Sequence, residues 1–494
     1  MDRYLVSVDP DVDVEQCDVC IVGAGLAGLN ALFVAGRYLS RGQRVILVDR
    51  RLRAGGMWVD TYPYVRLHQP HGMFTAGNIG WTLGRQRSYL ATKGEVLDHF
   101  EYCLDIIREH VDIDEMFGWE AESEEETAEG VRIACRSIGG RHRVIEAKRL
   151  IKAHGVRVEP NAPLPLSSTR VRSVSPDIDD MRRTTMRRDD APVWIIGGGK
   201  TAMDTAHSLI TEFPGRDVNM IAGSGTFFMN RDKLFPGGAR RWHGGMPLSS
   251  LGLQLARRFD GTNESEVSAW LRDNYGIWLT PETGNFFLGL LSEDEAATVG
   301  AGLGEVVMDH LVDIVDVAGT TTAHLRSGTH RGIEAGSWIV NCTGYLLRDD
   351  QPYEPYISPH GRVLSVNVRS ATLHLTSYIA YFMTHLMFLD RIRDIELYEI
   401  DVQELRKKSR AAATCATFSL VGYNLSLIAD SVPAKVFTEC GLDFDRWYPA
   451  PRRLLNAVGF QRTHRDERDR NRRALDTVRE RYDVRCGPLV NAVR

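Results

Sequence analysis

Asp18-Val19-Cys20-Ile21-Val22-Gly23-Ala24-Gly25-Leu26-Ala27-Gly28, a short apolar run closed by three glycines, is the stretch whose reading decides the fold. Residues 18–22 read as a buried strand, and the glycines read as a turn. Residues 26–39 have helix-forming spacing until Gly42 stops it, and residues 44–48 give a second strand that closes on Asp49. This is a βαβ unit. A Gly-x-Gly-x-x-Gly pattern alone is weak, because glycine-rich loops are common. Between a strand and a helix, with an acid about 20 residues further on, it becomes a dinucleotide fingerprint. The glycines allow the tight turn, the approach of a pyrophosphate to bare backbone, and close packing of helix on strand. The helix N-terminus offers unpaired N–H groups to phosphate. The residues expected to bind are therefore Gly23, Gly25, Leu26, Ala27, Gly28, Asp49 and Arg50, with the Asp49 carboxylate accepting from ribose hydroxyls.

The pattern recurs. Residues 193–196 read as a strand, Gly197-Gly198-Gly199-Lys200-Thr201-Ala202 as a second glycine turn, residues 202–212 as a helix and residues 218–222 as the next strand. Ala in place of the last Gly is tolerated. No acid ends that strand; the chain reads Ala222-Gly223-Ser224, with Arg231 and Lys233 beyond. A 2′-phosphate is repelled by an acid and attracted by arginine or lysine, which favours NADPH over NADH. Gly197, Gly199, Lys200, Thr201, Ala202, Ser224, Arg231 and Lys233 are the expected second set; the plainer alternative leaves Arg231 and Lys233 facing solvent.

The rest of the chain bounds the function. With 494 residues, 43% hydrophobic and 25% charged, it suits two or three domains. A formal charge of −5 supplies no basic field for nucleic acid, so small molecules are the expected partners. Residues 1–14 carry acids and no apolar signal core, giving a cytoplasmic expectation. The apolar run at 375–389 is shorter than the ~20 residues of a spanning helix and reads as a buried helix, so no membrane partner is expected. Its stripe of Tyr378, Tyr381, Phe382, Met383 and Met387 reads as core. The spacing of histidines and cysteines predicts no metal site. Cys17 and Cys20 form a C-x-x-C, but within a strand an offset of three places them on opposite faces. Residues 131–147 read as a hairpin around Gly139-Gly140, followed by a strand at 149–153 that ends in His154-Gly155. A crossover fills 160–192, and 223–300 looks irregular, an insertion or substrate-facing segment. A strand at 338–342 ends in Thr343-Gly344-Tyr345, and the arginines of 462–481, interleaved with acids, read as a solvated helical face.

Just after Asp49 comes Arg53-Ala54-Gly55-Gly56-Met57-Trp58, and here the sequence resembles the flavin monooxygenases with two dinucleotide-binding domains: the flavin-containing, N-hydroxylating and Baeyer–Villiger types. The resemblance implies FAD on the first glycine turn, with Gly56, Met57 and Trp58 along it, and NADPH on the second. It implies an α/β fold of two Rossmann-like doubly wound domains, the NADPH domain (166–344, with an insertion at 223–300) inserted in a discontinuous FAD domain (1–165 and 345–394), and a helical C-terminal extension at 395–494. NADPH would reduce FAD, oxygen would add to the flavin as a C4a-(hydro)peroxide, and one oxygen atom would pass to a small-molecule substrate.

Tyr62-Pro63-Tyr64-Val65-Arg66-Leu67-His68-Gln69-Pro70-His71 matches two subfamily patterns at once, a Tyr-Pro-x-x-Arg ending at Arg66 and a Leu-x-polar-Pro containing Gln69. His68 stands where Baeyer–Villiger enzymes carry Asp, and residues 155–192 lack their Phe-x-Gly-x-x-x-His fingerprint. N-oxygenation of an amine or amino acid is therefore placed ahead of ketone oxygenation. Gln69 is the residue expected to hydrogen-bond the flavin edge, with His68 as a proton carrier because imidazole titrates near neutral pH; a loop-structuring role is the alternative for both. Arg231, Arg240, Arg241 and His243 are candidates for a substrate carboxylate. Two other readings stay open: an NAD(P)H-dependent flavin oxidoreductase or dehydrogenase without oxygen insertion, and a non-catalytic redox sensor that binds a partner through its arginine-rich C-terminus. The sequence leaves the oligomeric state open, homo-oligomers included.

Overall fold

The structure is a computed structural model, and it describes residues 13–155, 158–159, 161–176, 185–186, 188–344 and 350–489. Tyr345, residues 177–184 of the crossover and the acidic N-terminal stretch 1–12 lie outside the described residues. The first sheet runs β3 (Asp112–Phe117), β2 (Arg44–Asp49), β1 (Val14–Val22), β6 (His142–Gly155), β5 (Val131–Ser137), β4 (Trp119–Glu126). Its first four strands are parallel and β5 and β4 are antiparallel. The hairpin expected around Gly139-Gly140 forms, with Gly140 at φ +79°. Its second strand and the strand expected at 149–153 are one continuous β6, which pairs with β5 at one end and with β18 (Val363–Asn367) at the other. This return of the chain at β18 joins residues beyond 350 to the N-terminal sheet.

Helix α1 (Leu26–Tyr38) buries one side of the sheet through Leu29, Leu32 and Val34, and α9 (Thr376–Phe388) lies across it. The Tyr378, Tyr381, Phe382, Met383 and Met387 stripe is core, as its spacing predicts. Helix α2 (Lys93–Arg108) starts at a capping box, in which the Thr92 hydroxyl accepts from Glu95 N and the Glu95 carboxylate from Thr92 N.

A second, all-parallel sheet runs β13 (Leu303–Val307), β9 (Val218–Ile221), β8 (Val193–Ile196), β17 (Trp338–Asn341), β7 (Arg172–Val174), with α3 (Lys200–Glu212) following the second glycine turn. A meander of β14 (Leu311–Val317), β15 (Thr320–Leu325) and β16 (His330–Ile333) is attached.

Residues 223–300 are not irregular. They hold a small sheet of β10 (Thr226–Asn230), β11 (Gly276–Trp278) and β12 (Asn285–Leu291), with helices α4 (Arg231–Leu234), α5 (Arg240–His243), α6 (Leu248–Arg258), α7 (Glu264–Tyr275) and α8 (Glu293–Gly302). Beyond 395 come α10 (Val402–Lys408), α11 (Arg410–Ser431), α12 (Ala434–Glu439) and α13 (Ala450–Tyr482), together with a three-stranded sheet of β19 (Ser370–Ala371), β20 (Tyr398–Asp401) and β21 (Cys486–Pro488). The two regions share one core: Leu251 and Leu255 of α6 and Phe259 just after it pack with Leu420 of α11 and with Leu475 and Val478 of α13. Removing the chain from 460 onward would strip that core, so truncation there unfolds this body rather than isolating a tail. By length and composition α11 could cross a membrane, a feature the sequence reading missed; here its buried residues pack into this core. The outer face of α13 carries arginines paired with acids, among them Arg465 and Arg468 on Asp430 and Arg481 on Glu264.

The strand argument for Cys17 and Cys20 fails, because both lie in one buried cluster with Val22, Val48 and Ile145. Burial rather than strand phase keeps them inert. It pushes the Cys17 thiol up to about 12 and raises the Cys20 thiol well above its ordinary value.

Candidate functional site

Each glycine of the first turn is required for a different contact. Gly23 sits at φ +106°, where a Cβ would overlap the Ala153 carbonyl, and a Cβ on Gly28 would overlap the Gly23 carbonyl. These two glycines hold the turn against β6 and α1 against the turn. Gly25 is the N-cap of α1 with no side-chain cap, so the amides of Leu26 and Ala27 open the helix unpaired by side chains. Gly55 N donates to the Ala24 carbonyl at 2.9 Å, and Gly56, at φ +54°, would bring a Cβ 2.8 Å from the Gly25 Cα. Two glycine-rich turns thus stand back to back at an uncapped helix N-terminus, which fits a pyrophosphate that needs bare backbone on both sides.

Asp49 accepts from Ala24 N at 2.7 Å through one oxygen and from Arg51 N at 2.8 Å through the other, so its carboxylate is fixed at the mouth of this turn. Arg51, rather than the half-buried Arg50, lies against Asp49, and it also pairs with Asp60. Met57 and Trp58 lie in a short helical turn, Gly56–Val59, with the Trp58 ring 5.6 Å from Phe74.

The second turn repeats this with one difference. Gly197 is at φ +124° against the Cys342 carbonyl, a Cβ on Gly198 would stand 2.6 Å from the Ala222 carbonyl oxygen, and Gly199 caps α3 with open space around it. Thr201 opens the helix and Ala202 is fully buried beneath it. Lys200 turns away from the turn and pairs with Asp204. Ser224 stays at the end of β9, its carbonyl accepting from Gly284 N at 2.7 Å. Arg231 and Lys233 do not gather beside it, because after Ser224 the chain enters β10, a strand of a different sheet. Lys233 donates to the Asn274 carbonyl instead. The candidate at this strand end is one the sequence reading missed: the His310 imidazole, 3.2 Å from where a Gly223 Cβ would stand.

Segment 62–71 bridges the two glycine-turn units. Tyr62 OH donates to Asp204 at 2.7 Å, and the Tyr64 and Thr205 hydroxyls lie 2.6 Å apart. Arg231 Nε donates to the His68 carbonyl at 2.7 Å while its other nitrogen pairs with Glu295 at 2.9 Å. Although burial alone raises the Glu295 pKa, Lys200 and Arg231 outweigh it and hold it at about 2. Burial first, then Lys200, push the His68 imidazole down to about 3. His68 therefore stays neutral at physiological pH, and the proton-carrier expectation does not hold. Among the described residues the half-buried Gln69 amide has no hydrogen-bond partner. Arg66 is exposed and donates to the Leu90 carbonyl at 3.1 Å. Arg240 and His243 are exposed on α5, while Arg241 is half-buried against Trp447.

Residues 17–234 match the family model of the pyridine nucleotide-disulphide oxidoreductases. Uncharacterized proteins of Mycobacterium tuberculosis (strain CDC 1551 / Oshkosh) and Mycobacterium bovis are 33% identical to it over 99 residues. The match spans only 18% of the length of these curated relatives and 18% of this chain. An open crystal structure of cyclohexanone monooxygenase superposes with a TM-score of 0.51 at 13% identity, covering 91% of this chain and 99% of that one. Ornithine N-hydroxylase of Kutzneria sp. 744 gives 0.47 at 14% identity, covering 77% and 99%. The chain thus shares the α/β fold of that cyclohexanone monooxygenase structure and carries a helical C-terminal region.

Proposed function

We propose that the chain is an FAD- and NADPH-dependent monooxygenase that oxygenates a small metabolite, with N-oxygenation of an amine or amino acid favoured. The observation that carries this reading is the pair of bare glycine turns at the uncapped N-termini of α1 and α3, spanned by one segment that presents Gln69. Bound FAD, once reduced, supplies the activation of oxygen. The chain's own residues then have three tasks. Gly25, Gly56 and the first amides of α1 seat one pyrophosphate, with Asp49 beside the adjoining ribose. Gly197, Gly199 and the opening of α3 seat the other, with Ser224 and His310 at the 2′ position. Gln69 donates a hydrogen bond into the space between them, while the neutral His68 shapes the segment rather than moving a proton.

A disulphide reductase reading, which the family name invites, finds no support in the thiols. All eight cysteines are buried and none is joined in a disulphide, so none presents an exposed thiolate to a disulphide substrate. Rapid mixing of the NADPH-reduced protein with oxygen tests the monooxygenase reading. A long-lived absorbing species distinct from oxidised and reduced flavin supports it, and immediate return to oxidised flavin favours the oxidoreductase without oxygen insertion. Gln69→Ala should leave flavin reduction by NADPH near the wild-type rate and lower product formed per NADPH by about tenfold. His310→Ala should lower kcat/KM for NADPH by about tenfold and leave that for NADH unchanged, the loss of one hydrogen bond to the anionic 2′-phosphate.

A further inference from the structure

Beyond Gln69 the chain turns through Pro70, Gly72 and Met73, and these residues form one wall of a cavity of about 310 Å³. Its other wall is Arg87, Arg446, Trp447 and Arg453. The volume lies at the lower end of the ligand-sized range of about 300–1,000 Å³. Among the described residues none of these three arginines, nor the adjacent Arg241, forms an ion pair with a carboxylate. Their hydrogen bonds go to carbonyls: Arg87 to that of Arg446, Arg241 to that of Trp447 at 2.7 and 3.0 Å, and Arg446 to that of Cys440 at 3.5 Å. The Arg87 and Arg241 guanidiniums also lie 5.5 and 5.0 Å from the Trp447 ring centroid. Two carboxylates stand near them without forming an ion pair, and of these Asp443 partly counters Arg453 and Arg446. Asp445 accepts from Ser249, and Asp443, pushed up to about 6 by burial and then by Asp445, accepts from Asp445 N.

Helix geometry sharpens the imbalance. Arg453 lies in the first turn of α13, the longest helix described, which has a proline N-cap, no side-chain cap and no acid in its first turn. The positive end of a helix dipole ordinarily carries acids. Desolvation, then Arg241, Arg453 and Arg446, hold the Arg87 guanidinium below its ordinary value, which marks like charges kept together. Like charges held around a concave site with an aromatic floor lack an anion.

We propose that this cavity is an oxyanion-binding site that takes the carboxylate or phosphate of a small organic molecule, with Arg87, Arg446 and Arg453 on the anion and Trp447 against its apolar part. Because the cavity wall continues from Gln69, the occupant is the anionic end of the substrate. That last identification rests on the monooxygenase reading; the anion site does not. Of the four substrate-carboxylate candidates named from sequence, Arg241 alone adjoins it.

Isothermal titration calorimetry of the full chain with benzoate, phenyl phosphate and the neutral benzamide tests the proposal. The two anions should bind and benzamide should not, and whichever anion binds more tightly identifies the class. Arg453→Gln should weaken anion binding at least tenfold, Arg453→Lys should retain part of it, and Arg473→Gln, on an exposed part of α13, should change nothing. Removing Arg453 relieves repulsion, so Tm should stay level or rise, whereas a purely structural arginine would lower it. Equal binding of the anions by wild type and Arg453→Gln, or no anion binding by wild type, overturns the proposal. Flavin content and NADPH oxidation of the same samples report separately on the monooxygenase reading, which can fail while anion binding stands.

Discussion

Gly28→Ala should cost the N-terminal unit at least about 3 kcal/mol and leave little folded flavoprotein, whereas Gly25→Ala should fold and fail to hold FAD. The two positions belong to one motif and differ in what a methyl group meets. At Gly28 it would overlap the Gly23 carbonyl, backbone against backbone, and neither partner can turn aside without opening the seam between α1 and the glycine turn. At Gly25, whose φ of −84° suits any residue, the Cβ stands 3.2 Å from the Gly56 Cα, a contact that a shift of a few tenths of an ångström relieves. That methyl group occupies the bare backbone where the pyrophosphate would rest, so flavin affinity should fall at least about tenfold, some 1.4 kcal/mol. Urea unfolding followed by circular dichroism reads the first effect, and flavin retained through gel filtration reads the second. A Gly28→Ala protein of wild-type stability, or a Gly25→Ala protein with full flavin, would sink this account of the turn.

These glycines were legible because their constraint is local. A strand, three glycines and a helix within a few residues leave one low-energy arrangement, and the acid that closes the next strand completes it. The same logic found the second turn and its missing acid. It failed where neighbours in sequence part company in space. Arg231 lies seven residues beyond Ser224, yet β10 carries it into another sheet, where it holds the His68 carbonyl. His310, from a distant loop, takes the position beside Gly223. The arginine cavity joins residues 87, 446 and 453 across more than 350 positions, and no spacing announces that. Residues 223–300 misled for another reason. Helices α6 and α7 bury a face in the core shared with α11 and α13, so their apolar positions looked like scattered aromatics until the partner helices were present. His68 shows the limit for chemistry as well: an imidazole's ordinary pKa is visible in sequence, and the burial that removes it is not.

Arg231→Met should be the costliest side-chain change between the two dinucleotide units. It leaves Glu295 charged in a half-buried setting and frees the His68 carbonyl, and breaking a buried pair from one side costs about 3–5 kcal/mol. The double variant Arg231→Met/Glu295→Gln should recover much of that loss, because the stranded charge is gone. The pH dependence has a defined sign. Glu295 falls from an ordinary value of 4.5 to about 2 in the folded protein, so folding favours its charged form. Its contribution, on the order of 3 kcal/mol, is complete above the unfolded value and is lost as pH falls from about 4.5 towards 2. Glu295→Gln should therefore flatten the acid limb of a stability-against-pH curve and leave its neutral limb parallel to wild type. His68 adds a slope of the same sign: held neutral in the fold down to about 3 but free to protonate in the unfolded chain below about 6.5, it also disfavours folding as pH falls through that range, and Glu295→Gln leaves this part of the acid limb in place. Because Arg231 fixes segment 62–71 through the His68 carbonyl, the single variant should also uncouple NADPH oxidation from product formation, with Gln69 no longer held between the two turns. An Arg231→Met protein with wild-type stability and coupling would show that Tyr62 and Tyr64, bonded to Asp204 and Thr205, position the segment without it.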